Sequence, residues 1–390
     1  MHPRRHGLLF SLWASLLICS ASKALAMNAV YLESNARDSN EVALLIQARD
    51  GASLDFIRAF STAGAGEPAI DGNQSHALAT NGKFLFVTNT GDDSVSTFRI
   101  EASGNLNLLG KTSSLGRHPV SLAVVQNNLL VLNQGDNNRQ SPVNPNVQRY
   151  RILHDGQLVA LQGSFSYLPD AVPVDIIGSP KGRTFTVTLS GLSQVDRFDL
   201  EKDGSISRTG TTGGINNPLG GAIGRYNPHK LAVTLADNSL PGIASLYTNL
   251  NGMTQRVFQS IRSSLMDPCW AVSNAHSTWL WTSAFETRTL SLYRWEANGN
   301  IRFVSDYTPE MTGPGGLDLA ISENDKTLFW LRVGDVENTQ RPMRPFIESF
   351  AVNTSNYSAT AGLTLISKTM LPENWSFASP GGILSLTIKP

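Results

Sequence analysis

One hairpin recurs along this chain. "VSTFRIEASGNLNLLG" from Val95 returns as "VQRYRILHDGQLVALQG" from Val147, "VDRFDLEKDGSISRTG" from Val195 and "LSLYRWEANGNIRFVS" from Leu290. Its aromatic residue, Phe98, has counterparts at Tyr150, Phe198, Tyr247, Tyr293 and Phe350, at intervals of 52, 48, 49, 46 and 57 residues. A weaker copy, "VALLIQARDGASLDF", starts at Val42 with Leu45 in the aromatic place. A period near fifty built of strands is the signature of a propeller blade, and the 3.6-residue pattern of a helical repeat is absent.

One period gives the order of strands. "HALAT" (His76–Thr80) reads as a short inner strand A, "FLFVTNT" (Phe84–Thr90) as strand B, the stretch around Phe98 as strand C and "LNLLGKT" as strand D. The recurring Asn-Gly and Asp-Gly pairs suit tight hairpins, whose turns need the positive φ that Gly and Asn tolerate. Inner strands are expected near His76, Val120, Val174, Leu219, Cys269 and Leu317, with a seventh around "NWSFAS" near Trp375. The N-terminal "NAVYLES", "EVALLIQ" and "LDFIRAF" are three strands lacking an A strand, so the two ends together complete one blade. The expected fold is therefore all-β: a seven-bladed β-propeller of four-stranded antiparallel blades over residues 27–390, closed by N- and C-terminal strands in one blade.

Residues 1–26 read as a signal peptide, with a basic "MHPRRH", an apolar "GLLFSLWASLLIC" and a small-residue "ALA" cleavage site. The apolar run is too short for a comfortable membrane span, so a secreted or periplasmic location without a membrane span is expected. Cleavage leaves Cys269 alone, which excludes an internal disulfide and suits a small buried hydrophobe. The chain carries 31 basic against 31 acidic residues, which argues against nucleic acid or an anionic membrane as the main partner. N-x-[ST] sequons at Asn73, Asn353, Asn356 and Asn374 permit glycosylation and imply nothing more.

"GKFLFVTNTGDDSVSTFRI", "DPCWAVSN" followed by "LSLYRWEANGNI", and "GPGGLDLAISENDKTLFW" resemble the lactonase family of seven-bladed propellers, over essentially all of residues 28–388. That family includes phosphogluconolactonase and the fungal carboxymuconate lactonising enzyme. The resemblance implies a lactone hydrolase or cyclase with a histidine near the second or third inner strand and a glutamate in the following strand B. This chain departs from that pattern, with Ser121 where the histidine is expected and Leu189 where the glutamate should fall. His118 lies three residues from Ser121, so a shifted histidine fits, but leucine performs no acid–base chemistry.

Three B–C connections are long: "NQGDNNRQSPVNPN", "ADNSLPG" and "RVGDVENTQRPMRP". Long loops in a compact domain are often functional, so the channel mouth on the face carrying the D–A and B–C loops is the expected site. For lactone hydrolysis, His76 or His118 would activate water while Arg117 polarises the carbonyl. Asp175, Asn217, Arg225, Trp270, Asp318 and Asn374 are the expected substrate-binding groups, with Asp267 also near the mouth. The competing role for Asp175 and Asp318 is to satisfy backbone amides between blades. No metal or other cofactor is expected, although Asp175, Asn217 and Asp318 could imitate a calcium site drawn from three blades. Two function classes remain. One is a monomeric, secreted lactonase-like enzyme acting on a small lactone or sugar acid. The other is a non-catalytic propeller binding a glycan or protein through its loop-rich face.

Overall fold

The four quoted hairpins turn on glycine. Gly104, Gly156, Gly204 and Gly299 hold φ of 85°, 97°, 87° and 89° between strands C and D of their repeats. That backbone region is open to glycine at no steric cost, so the turn is set locally before any blade packs. A computed structural model describes residues 26–388 apart from 48–50, 52, 69–75, 137–142, 180–181, 225, 238, 249–253, 263, 310–314, 334–343, 354, 356–360 and 379. The signal-peptide reading of residues 1–26, save its last residue, therefore lies outside the described residues, as do Arg225 and the Asn73 and Asn356 sequons. The long B–C connections are described only in part.

Seven antiparallel sheets follow one another, each of four strands, with a short extra pairing in the second. The inner strands are Leu78–Thr80, Pro119–Val125, Pro173–Gly178, Pro218–Gly224, Pro268–Ser273, Gly315–Ile321 and Gly381–Ile388. Each inner strand packs on the next around the ring, and Gly381–Ile388 packs back on Leu78–Thr80. Closure is by sequence-distant pairing: Met27–Glu33 lies between Gly381–Ile388 and Glu41–Gln47, with Tyr31 opposite both Leu384 and Leu44. The sequence expectation for the seventh inner strand is displaced. "NWSFAS" forms a 3-10 turn, Glu373–Phe377, and the strand starts at Gly381. Pro372 and Pro380 flank the turn and cannot donate to a ladder, which leaves the segment as a connector.

Blades are held by burial on both faces. Phe98, Tyr150, Phe198, Tyr293 and Phe350 are each at most 1% exposed. Phe98 clusters with Tyr31, Val42 and Leu44 of the neighbouring closing blade, which puts the repeated aromatic in the seam between blades. Hydrogen bonds reinforce the seams: the Tyr31 hydroxyl donates to the Gly104 carbonyl at 2.7 Å, Trp295 Nε1 to Ser245 Oγ at 2.8 Å and Trp330 Nε1 to Ser283 Oγ at 2.8 Å. Each satisfies an aromatic's polar tip where water is excluded.

The sixth blade also buries an ion pair, Arg332 Nη1 to Glu348 Oε2 at 3.0 Å, with the two side chains 2% and 8% exposed. Removing one member strands the other charge, so Glu348→Ala should cost about 3–5 kcal/mol in urea unfolding, whereas Arg332→Met with Glu348→Leu should cost far less. A chain truncated before Gly381 should lose its cooperative thermal transition and aggregate on size-exclusion chromatography. It would expose the edge of Met27–Glu33 and an unclosed ring.

Candidate functional site

Four inner strands begin with one device. His118, Val172, Asn217 and Asp267 precede Pro119, Pro173, Pro218 and Pro268, and all hold positive φ, at 52°, 43°, 42° and 55°. Such backbone is costly away from glycine, most of all for β-branched Val172, so packing around it must enforce the bend. The bend swings the chain from the outer strand of one blade to the axis of the next. It makes His118, Asn217 and Asp267 connector residues, and none of them lines the channel cavity.

The D–A connector of the second blade is clamped. Arg117 Nη1 pairs with Asp93 Oδ2 at 2.9 Å, and the His118 backbone N–H donates to Asp93 Oδ1 at 2.8 Å. His118 Nδ1 donates to the Gly135 carbonyl at 2.8 Å. Asn217 Nδ2 donates to the Ala236 carbonyl at 3.1 Å. Asn374 is exposed on the 3-10 turn. Trp270 is 1% exposed, and its ring fills the space where a Cβ on Gly220 would stand 1.9 Å away.

The axial cluster forms around Asp175, two residues past the kinked Pro173. Its fully buried carboxylate accepts from Ser121 Oγ at 2.8 Å, from the Gly221 N–H at 3.1 Å and from His76 Nδ1 at 2.9 and 3.2 Å. One carboxylate thus joins the first, second, third and fourth blades. Asp318 does the same for the sixth and seventh: Oδ1 accepts from the Leu319 N–H at 2.7 Å and Oδ2 from the Ile383 N–H at 2.9 Å. Of the expected site residues, His76, Asp175 and Asp318 come together; Arg117, His118, Asn217, Trp270 and Asn374 stand apart from them.

His76 is where these bonds meet water. Its side chain is 39% exposed while Asp175 is sealed. Burial by itself would lower the imidazole pKa, but the charge and hydrogen bond of Asp175, with a weaker pull from Asp318, raise it to about 8. Burial raises the Asp318 carboxyl to about 7; the Ile383 and Leu319 N–H groups and His76 oppose that shift, and Asp175 adds to it.

His76 and Asp318 lie on the wall of a channel cavity of about 360 Å³. The rest of its lining comes from the later residues of the inner strands, among them Leu122, Ile177, Ala222 and Ser273, so it occupies the half of the channel towards the A–B turns. Sequence reasoning looked to the opposite mouth. The difference lies in side-chain size and bonding: the aspartate bonds cross between blades at one level, and Ala123, Gly178, Gly221, Ala271 and Ala320 leave space beyond it. Gly221 is needed there, since a Cβ would stand 2.3 Å from Ile177 Cδ1. Among the described residues no group of three or more His, Cys, Asp or Glu is arranged to hold a metal ion. Nor is any described helix long and apolar enough to cross a membrane.

Residues 38–146 match the family model described as Lactonase, 7-bladed beta-propeller. That segment runs from the closing blade through the first and into the second, and so contains His76, Arg117, His118 and Ser121. The periplasmic gluconolactonase PpgL of Pseudomonas aeruginosa is a structural neighbour with a TM-score of 0.68 at 14% identity, over 93% of this chain and 99% of that one. A protein of Bacteroides fragilis NCTC 9343, described provisionally as a 6-phosphogluconolactonase, gives 0.68 at 14%, over 94% and 99%. A hypothetical selenium-binding protein of Sulfolobus tokodaii gives 0.64 at 8%, over 93% and 94%. At such identities the likeness is one of fold, and the differently named neighbours illustrate how little a propeller dictates chemistry. No curated protein sequence matches this chain.

Ser121 and Leu189, where the sequence departs from the lactonase pattern, lie in different surroundings. Ser121, in the place of the family histidine, and His76, from the preceding blade, converge on the same Asp175 oxygen at 2.8 and 2.9 Å. Leu189 is fully buried in an apolar cluster with Val187, Tyr167 and Ala171. Its rung, opposite Pro173, is matched in the closing blade by Glu33 opposite Gly381. Glu33 is fully buried and accepts from Thr88 Oγ1 at 3.3 Å and Asn40 Nδ2 at 3.4 Å. Sequence reasoning passed over it, although aligning "YLES" on "VTLS" by repeat would have found it.

The two shifted groups set a pH signature on stability. Asp318 binds its proton more tightly folded than unfolded, so between about 4 and about 7 the folded state loses stability as pH rises. His76, raised from 6.5 to about 8, contributes stability below 6.5 that is lost as pH climbs through 8. Thermal melts from pH 4 to 9 should therefore fall in two windows, with Asp318→Asn flattening the lower and His76→Gln the upper.

Proposed function

We propose that the protein is a monomeric lactonase-like hydrolase, exported from the cytoplasm, that opens a small lactone or sugar-acid ring within the channel; the reverse ring closure uses the same groups. The observation that carries this reading is the pairing of His76, held by buried Asp175, with Asp318 on the wall of one cavity. With a pKa of about 8, His76 is an imidazolium near neutrality. It is suited to hydrogen-bond the lactone carbonyl and stabilise the oxyanion, the task the sequence assigned to Arg117. Asp318, poised at about 7, is suited to take the proton of an attacking water. Collapse of the tetrahedral adduct breaks the ring C–O bond, and His76 gives its proton to the departing alkoxide. Export rests on residues 1–26 and agrees with the name of the Pseudomonas aeruginosa neighbour.

A binding scaffold without chemistry is the second reading. It draws on the fact that both oxygens of Asp175 and the Oδ2 of Asp318 accept hydrogen bonds that join blades. The discriminating experiment is a pH-stat screen of five- and six-membered lactones with the mature chain. An enzyme working as described shows a bell-shaped kcat/KM with limbs near 7 and 8. Asp318→Asn then abolishes turnover, His76→Gln removes the alkaline limb, and Arg117→Met leaves both limbs in place. No turnover of any lactone by the wild-type chain would favour the scaffold.

A further inference from the structure

A second, chemically different cavity lies between the second and third blades, on the face of the A–B and C–D turns. It measures about 160 Å³ and is bounded by the turn at Gln126–Asn128, by Arg149 and Arg151, by Arg183 and by the turn Glu201–Gly204. Its wall carries four cationic side chains, Arg149, Arg151, Arg183 and Lys202, against two carboxylates, Glu201 and Asp203. The carboxylates are engaged locally, Glu201 by Ser207 Oγ at 2.5 Å and Asp203 by the Ser205 backbone N–H and hydroxyl at 2.8 Å. Arg183 donates from Nε to the Leu200 carbonyl at 2.6 Å, and Arg149 is less well satisfied. Arg149 is 7% exposed, and among the described residues its guanidinium makes one hydrogen bond, from Nη2 to the Gln162 carbonyl at 3.2 Å. Its Nε is buried without an acceptor among the described residues.

A buried guanidinium N–H without an acceptor is costly, and the cost is removed by an anion that fits. The turn is shaped for the guanidinium: Gly204 has φ +87°, and a Cβ there would stand 2.1 Å from Arg149 Nη1. Three planar forks and a lysine in one small cavity suit tetrahedral oxyanions better than a single carboxylate, since each fork can take two oxygens.

We propose that this groove is a binding site for a tetrahedral dianion, the phosphate or sulfate group of a small ligand, with Arg149 as its buried anchor and Arg151, Arg183 and Lys202 around it. The site is independent of the channel chemistry, although both cavities belong to the same face of the propeller.

The test is calorimetric titration of the full chain with inorganic phosphate, sulfate and acetate at low ionic strength, alongside thermal melts with each anion. One phosphate or sulfate should bind per chain and raise Tm with concentration, and added chloride should weaken it. Arg149→Met should weaken binding about tenfold or more, as loss of a charge-assisted bond predicts. Because Arg149 is buried, Arg151→Met with Lys202→Met supplies an exposed variant that folds normally and should also bind more weakly. Phosphate and sulfate that fail to bind the wild-type chain, bind undiminished after both sets of substitutions, or bind no better than acetate, would overturn the site.

Discussion

The Asp175 carboxylate is the contact on which the centre of this molecule depends. A propeller must align its inner strands around an axis where each presents backbone N–H groups to a narrow channel, and a buried donor without an acceptor is expensive. Asp175 meets that demand for the Gly221 N–H while holding Ser121 and His76, so four blades are fixed through one side chain. Asp318 repeats the solution on the far side through Ile383, in the strand that closes the ring. Both aspartates sit on inner strands whose residues pack around a shared axis, so their charges reach the same imidazole.

This arrangement separates two jobs. Asp175 is sealed and bonded from three directions, which suits a structural acceptor. Burial lifts the Asp318 carboxyl to about 7, Asp175 chiefly lifts His76 to about 8 against the effect of burial, and both groups reach the cavity. Strongly perturbed groups sharing a cleft are what acid–base chemistry requires, although structural networks perturb titrations as well. Here the structural network and the perturbed pair are the same residues.

The blades were legible because they are local. The period, the C–D glycines and the alternation of strand C can be read within fifty residues, and the structure realises them down to the positive φ of Gly104, Gly156, Gly204 and Gly299. The seventh inner strand was misplaced because Trp375 mimics the apolar start of a strand, whereas the flanking prolines decide against it. The site was legible in its residue types and not in its address. His76, Asp175 and Asp318 come from three blades, and only the register of the inner strands says which side chains meet at the axis. Arg117 and His118 looked equally suitable in sequence, yet Asp93, at the B–C bend of the previous blade, binds both. No local pattern marks Asp93 as their partner.

The convergence of Ser121 and His76 on one carboxylate follows from the same geometry. At the axis of a seven-bladed ring, neighbouring inner strands are close enough for side chains of adjacent blades to reach one acceptor. Ser121 is too short to reach far into the channel, but its hydroxyl keeps the bond to Asp175 that an imidazole at that position could make. That leaves the other side of the carboxylate open to His76, one blade back. A closed ring offers equivalent rungs in every blade, and Glu33 stands on the one that matches Leu189. In such a fold side chains that are far apart in the sequence reach one acceptor because their inner strands share an axis.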